Sequence, residues 1–269
     1  MKYSDRSVDI FGIPVFGGME SVVLERVTSA TGLPIAGGPL TVLTPTTEQV
    51  VMAQQDDALC DSFRSADINV PDATGLILAD RLLAWRYHRP RHLKTRIVGV
   101  DLAENLCAKA VEKGLKVFLL GGRGQTAKAA EEALSHRYAG LQVMGEEGFA
   151  DIVSEITNSK LQTNKTMRVI QHIQDFKTDI LLVAFGAPWQ ERWVTENHMA
   201  LGAAGVKVAM VIGGTLDYWA GNTARAPIKW RQMGLEWLWR LIHEPWRWRR
   251  QLRLVQFAGM VGKGLIWGR

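Results

Sequence analysis

Two cysteines, Cys60 and Cys107, are all that the 269 residues contain, and they do not form a CxxC pair. That excludes a disulfide-stapled secreted scaffold and fits a reducing cytosol. No apolar run reaches the roughly 18–20 residues that a spanning helix needs. The opening MKYSDRSVDIFG lacks the apolar core of a signal peptide. The chain is therefore expected not to cross a bilayer, and it could lie on one. The six histidines are scattered, with no ligand-like spacing against Asp, Glu or Cys, so no metal site and no cofactor is expected. The GxGxxG fingerprint of a dinucleotide-binding dehydrogenase is missing as well. So are internal repeats and low-complexity stretches.

What is present is a composition with 47% hydrophobic and 22% charged residues, ordinary for a folded chain. The charge is uneven. Residues 225–269 hold eight Arg and two Lys against Glu236 and Glu244, a local balance of +8 within a total of +5. The remainder is then slightly acidic, which assigns the basicity to the tail. Six of the ten tryptophans lie there too: Trp230, Trp237, Trp239, Trp246, Trp248 and Trp267.

Strand-like and helix-like segments alternate over the first four-fifths of the chain. This predicts an α/β fold, a Rossmann-like, mostly parallel sheet with helices on both faces. Strand signals fall at 39–45, 68–72, 115–122, 179–188 and 207–214. Helix signals fall from near Thr46, at 73–86, at 101–114 up to Gly114, at 125–138 and over about 152–176. Texture changes after Gly221, dividing an α/β unit (1–221), the expected seat of any catalytic site, from a basic, Trp-rich helical appendage (222–269). In the appendage Pro245 should break the helices, and Gly259, Gly262 and Gly264 should loosen them. Trp248, Leu252 and Val255 share one helical face while Arg249 and Arg253 fall on another, the make-up of an interfacial element. The alternative is a helix that packs its tryptophans on the core.

Ligands of parallel sheets bind beyond the carboxyl ends of the strands. Four junctions qualify. Asp72, between a strand and a helix, can serve as general base toward a hydroxyl or simply cap the helix. Gly121, Gly122 and Gly124 can bring backbone N–H groups to a phosphate, or make a tight turn. Gln190, in Gly186-Ala187-Pro188-Trp189-Gln190, carries an amide able to donate and accept, unless it merely faces solvent. The fourth, IGGTLDYWAGNTARAP (212–227), carries Thr215, Asp217 and Arg225.

Taken together, the succession TPTTEQ, ADINVPDATG, RIVGVDL, VFLLGG, VAFGAPWQE, GGTLDYWAG, RAP, GLEWLWRL and EPWRWRRQL resembles the WecG/TagA/CpsF glycosyltransferase family over roughly residues 8–255. The resemblance implies an inverting, metal-independent transferase. Its donor would be a UDP-sugar and its acceptor a sugar on undecaprenyl diphosphate, in assembly of surface polysaccharide or exopolysaccharide. It makes Asp72 the base and assigns substrate contacts to Arg96 and Gln190. Arg240, Arg247 and Arg250 would fold over the site and hold diphosphate, which suits guanidinium chemistry in the absence of a metal. With Thr44, Thr46, Gly121, Gly122, Thr215 and Asp217, these complete the expected substrate-binding set. The protein would sit on the inner face of the cytoplasmic membrane, its appendage against anionic lipid.

Three departures from the family pattern bear on the donor. The usual Thr-x-Asn is Thr44-Pro45-Thr46, the usual PDG is Pro71-Asp72-Ala73, and Trp189 stands where a lysine is usual. An altered sugar pocket leaves UDP-N-acetylmannosamine and UDP-glucose both open. A non-catalytic, membrane-bound nucleotide-binding scaffold is the alternative, nucleic-acid binding is disfavoured, and the sequence leaves homo-oligomer formation open.

Overall fold

A computed structural model describes residues 7–33, 37–148, 164–245 and 248–267, with the side chains of 164, 249 and 250 outside that description. Strands β1 (Ser7–Ile10) and β2 (Ile13–Phe16) form an antiparallel hairpin. Strands β3 (Leu40–Leu43), β4 (Ile68–Asn69), β5 (Lys116–Gly121), β6 (Gln142–Glu146), β7 (Ile180–Ala184) and β8 (Val208–Val211) build one sheet in the order β4-β3-β8-β7-β5-β6. Every pairing in it is parallel, for example Val42 with Ile68 and Leu182 with Met210. The expected α/β architecture is therefore what the chain adopts.

The helices, in chain order, are α1 (Glu20–Ala30), α2 (Thr47–Ala53), α3 (Asp57–Ser65), α4 (Thr74–Arg86), α5 (Gly99–Lys113), α6 (Thr126–Arg137), α7 (Asn164–Phe176), α8 (Trp189–Glu196), α9 (His198–Ala203), α10 (Thr215–Trp219), α11 (Ile228–Gln232), α12 (Glu236–His243) and α13 (Trp248–Trp267). Residues 149–163, half of the segment read as helical from about 152, lie outside the described residues.

All of β7, Ile-Leu-Leu-Val-Ala, is buried because helices cover both faces of the sheet. Its residues alternate between two cores. Leu181 and Val183 join Leu43, Phe118 and Val211 under α2, α3, α4 and α8. Ile180 and Leu182 join Val42, Leu119 and Met210 under α1, α5 and α6. Helix boundaries follow local chemistry. Thr46 and Gln49 form a reciprocal capping box at the start of α2, and Gly114, at φ +65°, ends α5 in the left-handed conformation.

The last helix departs from expectation. Gly259, Gly262 and Gly264 do not loosen it, for α13 runs unbroken from Trp248 to Trp267. Its inward Phe257 and Val261 enter the same core as α2 and α4. A side chain at Gly264 would stand 3.3 Å from Leu83, so the glycine is where α13 approaches α4 closely. Pro245 does lie in the break between α12 and α13.

Candidate active site

The strands run parallel, so their carboxyl ends share one edge, and the loops leaving β3, β4, β5, β7 and β8 converge there. From β4 the chain passes through Val70 and Pro71 to Asp72. The N-cap of α4 is Ala73, so Asp72 does not cap its own helix. Its Oδ1 instead accepts the Gly99 N–H at 3.0 Å, at the first turn of α5. Oδ2 has no hydrogen-bond partner among the described residues. Gly99 is a close crossing: a Cβ there would lie 3.2 Å from Thr44 Cγ2 and 3.8 Å from Asp72 Oδ2. Thr44 and Asp72 therefore both border the α5 N-terminus at Gly99.

Burial pushes the Asp72 carboxyl up to about 6, opposed by the Gly99 N–H and the Arg96 charge and assisted by Glu236 and Asp101. Arg96 in turn lies 3.5 Å from Glu236. Arg225 binds Asp101 at 2.6 Å and reaches 3.8 Å from Glu236, while its buried Nε and Nη2 donate no hydrogen bond among the described residues. A cleft of about 540 Å³ opens beside this cluster, between α11 and the starts of α4 and α5; Thr74, Arg96, Asp101 and Arg231 are among its walls.

The β5, β7 and β8 exits form a second group. Gln190 is buried, and its Oε1 accepts N–H bonds from Gly186 (3.1 Å) and Gly213 (3.2 Å), tying two exits together. Its Nε2 donates to Glu191 Oε1 at 2.8 Å, and Gln49 Nε2 donates to the same oxygen at 2.6 Å. Gln49 Oε1 accepts the Thr46 N–H at 2.8 Å. One buried amide–carboxylate–amide chain thus fastens the β3, β7 and β8 exits. Glu191 is wholly enclosed and its carboxyl is pushed up to about 7 by burial, against the bonds from Gln190 and Gln49.

The glycine turn after β5 serves the fold directly. A Cβ on Gly121, at φ +124°, would sit 2.6 Å from the Ala184 carbonyl oxygen. The Gly122 N–H donates to that same oxygen at 3.2 Å, and the Gly124 N–H to Glu147 at 2.7 Å. Thr46 spends its hydroxyl on the α2 cap, and Thr215, buried, donates to the Ile212 carbonyl at 2.5 Å. Asn222 links the β5 and β8 exits, bonding Thr126 at 3.1 Å and Asp217 at 3.5 Å.

Helix α12 spans both groups. Glu236 meets Arg96 and Arg225. One turn further, the Arg240 guanidinium lies 3.6 Å from where a Cβ on Gly214 would stand, beside Asp217, with its charge over the Tyr218 ring at 5.3 Å. The structure thus groups Thr44, Asp72 and Arg96 around the start of α5, and Asp217 with Arg240 around Gly214, with α12 reaching both. Arg247 lies outside the described residues, as does the Arg250 side chain. Sequence reasoning did not single out Asp101, Glu191 or Glu236 as site residues, and it left Arg225 outside the binding set. The signals were the RAP, QE and GLEW segments, whose partners sit far off in sequence. The charge pattern, a half-buried carboxyl with one oxygen unbonded among the described residues and the Arg96 guanidinium near it, suits abstraction of a hydroxyl proton beside a phosphate-bearing group.

Residues 8–268 match the glycosyl transferase WecG/TagA/CpsF family. Among characterised proteins, the chain is 29% identical over 207 residues to the N-acetylglucosaminyldiphosphoundecaprenol N-acetyl-beta-D-mannosaminyltransferase of Bacillus subtilis (strain 168), covering 77% of this chain and 72% of that protein. To the protein of the same name from Staphylococcus aureus (strain MRSA252) it is 30% identical over 215 residues, covering 80% and 75%.

Proposed function

From the premise that the chain belongs to the WecG/TagA/CpsF family of glycosyl transferases, we propose that it moves a hexose or N-acetylhexosamine from a UDP-sugar onto a sugar linked to undecaprenyl diphosphate. The two relatives are named for that acceptor class and for N-acetylmannosaminyl transfer; UDP-glucose is the second donor, in exopolysaccharide assembly, on account of the Thr46, Ala73 and Trp189 departures. The observation that carries the reading is Asp72: a carboxyl with a raised proton affinity, one oxygen fixed by Gly99 and the other unbonded, under an arginine-bearing helix.

In the proposed reaction Asp72 takes the proton of the acceptor hydroxyl as that oxygen attacks the anomeric carbon. The bond from that carbon to the UDP oxygen breaks on the opposite face, inverting the centre. The electron pair leaves with UDP, and the proton passes from Asp72 to solvent. Arg225 and Arg240, with Arg247 and Arg250, supply fixed positive charge to the departing diphosphate, so no metal is required. Gln190 acts by holding the β7 and β8 exits that border the donor, together with Gly121, Gly122, Thr215 and Asp217. Thr44, Thr46 and Arg96 border the acceptor side.

No helix among the described residues is long and apolar enough to cross a membrane. The tail is the proposed contact with an anionic bilayer on its inner face, where UDP-sugars are made. Trp248, Leu252 and Val255 support this, since they share a face of α13 and are 54%, 52% and 70% exposed.

Mass spectrometry of product formation tests the proposal, using a panel of UDP-sugars, a polyprenyl-diphosphate-linked N-acetylglucosamine and EDTA. One sugar added despite EDTA, and lost in Asp72→Asn, is expected. No product from any donor, with nucleotide binding intact, would establish the scaffold in its place.

A further inference from the structure

Although the chain before residue 225 is acidic in sum, its basicity is not confined to the tail. Residues 81–96 carry Arg81, Arg86, Arg89, Arg91, Lys94 and Arg96 and no acidic residue. Summing charge over the whole catalytic unit conceals this run. In the structure it forms the end of α4 and the loop that returns to the site at Arg96.

That loop is built, not slack. Asp80, wholly buried, accepts the N–H groups of His92 (2.9 Å) and Leu93 (2.8 Å) and pairs with Arg89 at 2.8 Å. Leu93 is wholly buried beside it. With the loop so pinned, Arg81, Arg91 and Lys94 are exposed and enter no ion pair among the described residues. Trp85 is 75% exposed on the outer face of α4, with Leu78 two turns earlier at 53%.

The same corner is joined to α13. Arg86 Nε donates to the Leu265 carbonyl at 2.8 Å, and the Tyr87 hydroxyl donates to the Gly264 carbonyl. Beyond these bonds α13 leaves Ile266 and Trp267 exposed, at 65% and 74%. Indole rings standing in water beside unpaired cations are costly for a purely aqueous surface. They match the boundary between acyl chains and anionic headgroups.

We propose that the end of α4 and the loop 87–95 form a second lipid-contacting surface, carried by the α/β core itself, that binds anionic headgroups. The proposal rests on the reading above that the protein works at a bilayer. Two contacts, the core corner and the exposed stripe of α13, fix the rotation of the protein on the membrane, which one helix alone does not. Since α4 starts two residues after Asp72 and the loop leads into Arg96, that rotation sets the direction in which the site faces the lipid-borne acceptor.

Co-sedimentation of the full chain with phosphatidylcholine vesicles, with and without phosphatidylglycerol, tests this. The variant Trp85→Ala/Arg91→Ala/Lys94→Ala should lose about 25-fold or more in partitioning onto the anionic vesicles, each surface cation contributing roughly fivefold. Its turnover of a short-chain, water-soluble acceptor should equal that of the parent, which also reports correct folding. A second variant, Leu252→Ser/Val255→Ser, separates the tail from the core corner. If the core variant binds as the parent does while the tail variant fails to bind, the second surface is overturned and the bilayer reading stands. If the parent itself ignores both vesicles, or binds a single-stranded oligonucleotide instead, both are overturned.

Discussion

Replacing Asp72 by Asn should make the protein more stable and nearly inactive at once, and the size of the gain follows from the site. In the folded protein the carboxyl is pushed from 3.8 up to about 6. An acid held above its unfolded value stabilises the fold only while protonated. Below pH 3.8 both states carry the proton and nothing is lost; between 3.8 and about 6 the unfolded chain ionises while the folded carboxyl keeps its proton, so stability falls, and above about 6 both are ionised and the full cost stands. At 1.36 kcal/mol per unit, the cost above pH 6 is about 3 kcal/mol. Asparagine keeps an oxygen for the Gly99 N–H and never ionises. Its advantage should be near zero at pH 3.5 and grow to about 3 kcal/mol at pH 7–8, several degrees in Tm for a chain of this size. Loss of the base should lower turnover by about 10²–10⁴-fold, and the parent's rate should rise with pH through about 6. Thermal melts of both proteins from pH 3.5 to 8, beside turnover assays, test the two halves. A variant that melts below the parent at pH 7–8 would refute the argument, showing the anion to be a stabilising partner of the α5 N-terminus. Retained turnover would remove Asp72 from the chemistry.

Glu191 makes a parallel case with a structural outcome. Glu191→Ala leaves the Gln49 and Gln190 amides buried without their acceptor, at about 1–3 kcal/mol each, and should raise KM for the nucleotide-sugar as the exits slacken. Glu191→Gln should preserve both bonds and abolish the loss of stability that the parent shows as pH rises through about 7; chemical denaturation across pH 5–8.5 reads this. Arg240→Ala should reduce kcat by about 10²-fold with Tm little changed, and Arg240→Lys should recover only part of it, because a point charge replaces a planar fork; steady-state kinetics decides. Gly121→Ala should cost at least about 1–3 kcal/mol from the positive φ alone, before the approach to the Ala184 oxygen is counted, measured by urea unfolding.

Much of this architecture is legible along the chain because its causes are local. Buried parallel strands such as Ile180–Ala184 are continuous apolar runs, Thr46 and Gln49 are a helix start written three residues apart, and Gly114 is a helix stop. The order of the junction motifs identified the family before any fold was seen. Local signals were weak where elements went unread. The β1–β2 turn uses Phe11-Gly12, both at positive φ, without the Asn-Gly or Asp-Gly that announces such a turn. Edge strand β6, Gln-Val-Met-Gly-Glu, is only partly buried and lacks a strand's usual pattern. What only the tertiary structure decided is which atoms meet: Asp72 with Gly99, Gln49 with Glu191, Arg96 with Glu236, pairs 27, 142 and 140 residues apart. That Gln190 ties the β7 and β8 exits together and that Gly122 bonds the Ala184 carbonyl is likewise visible only in the structure. Periodicity and capping arise from neighbours a few residues apart and are therefore written in the sequence. A buried carboxyl's proton affinity and a guanidinium's partner depend on which distant segments the sheet order brings to one edge.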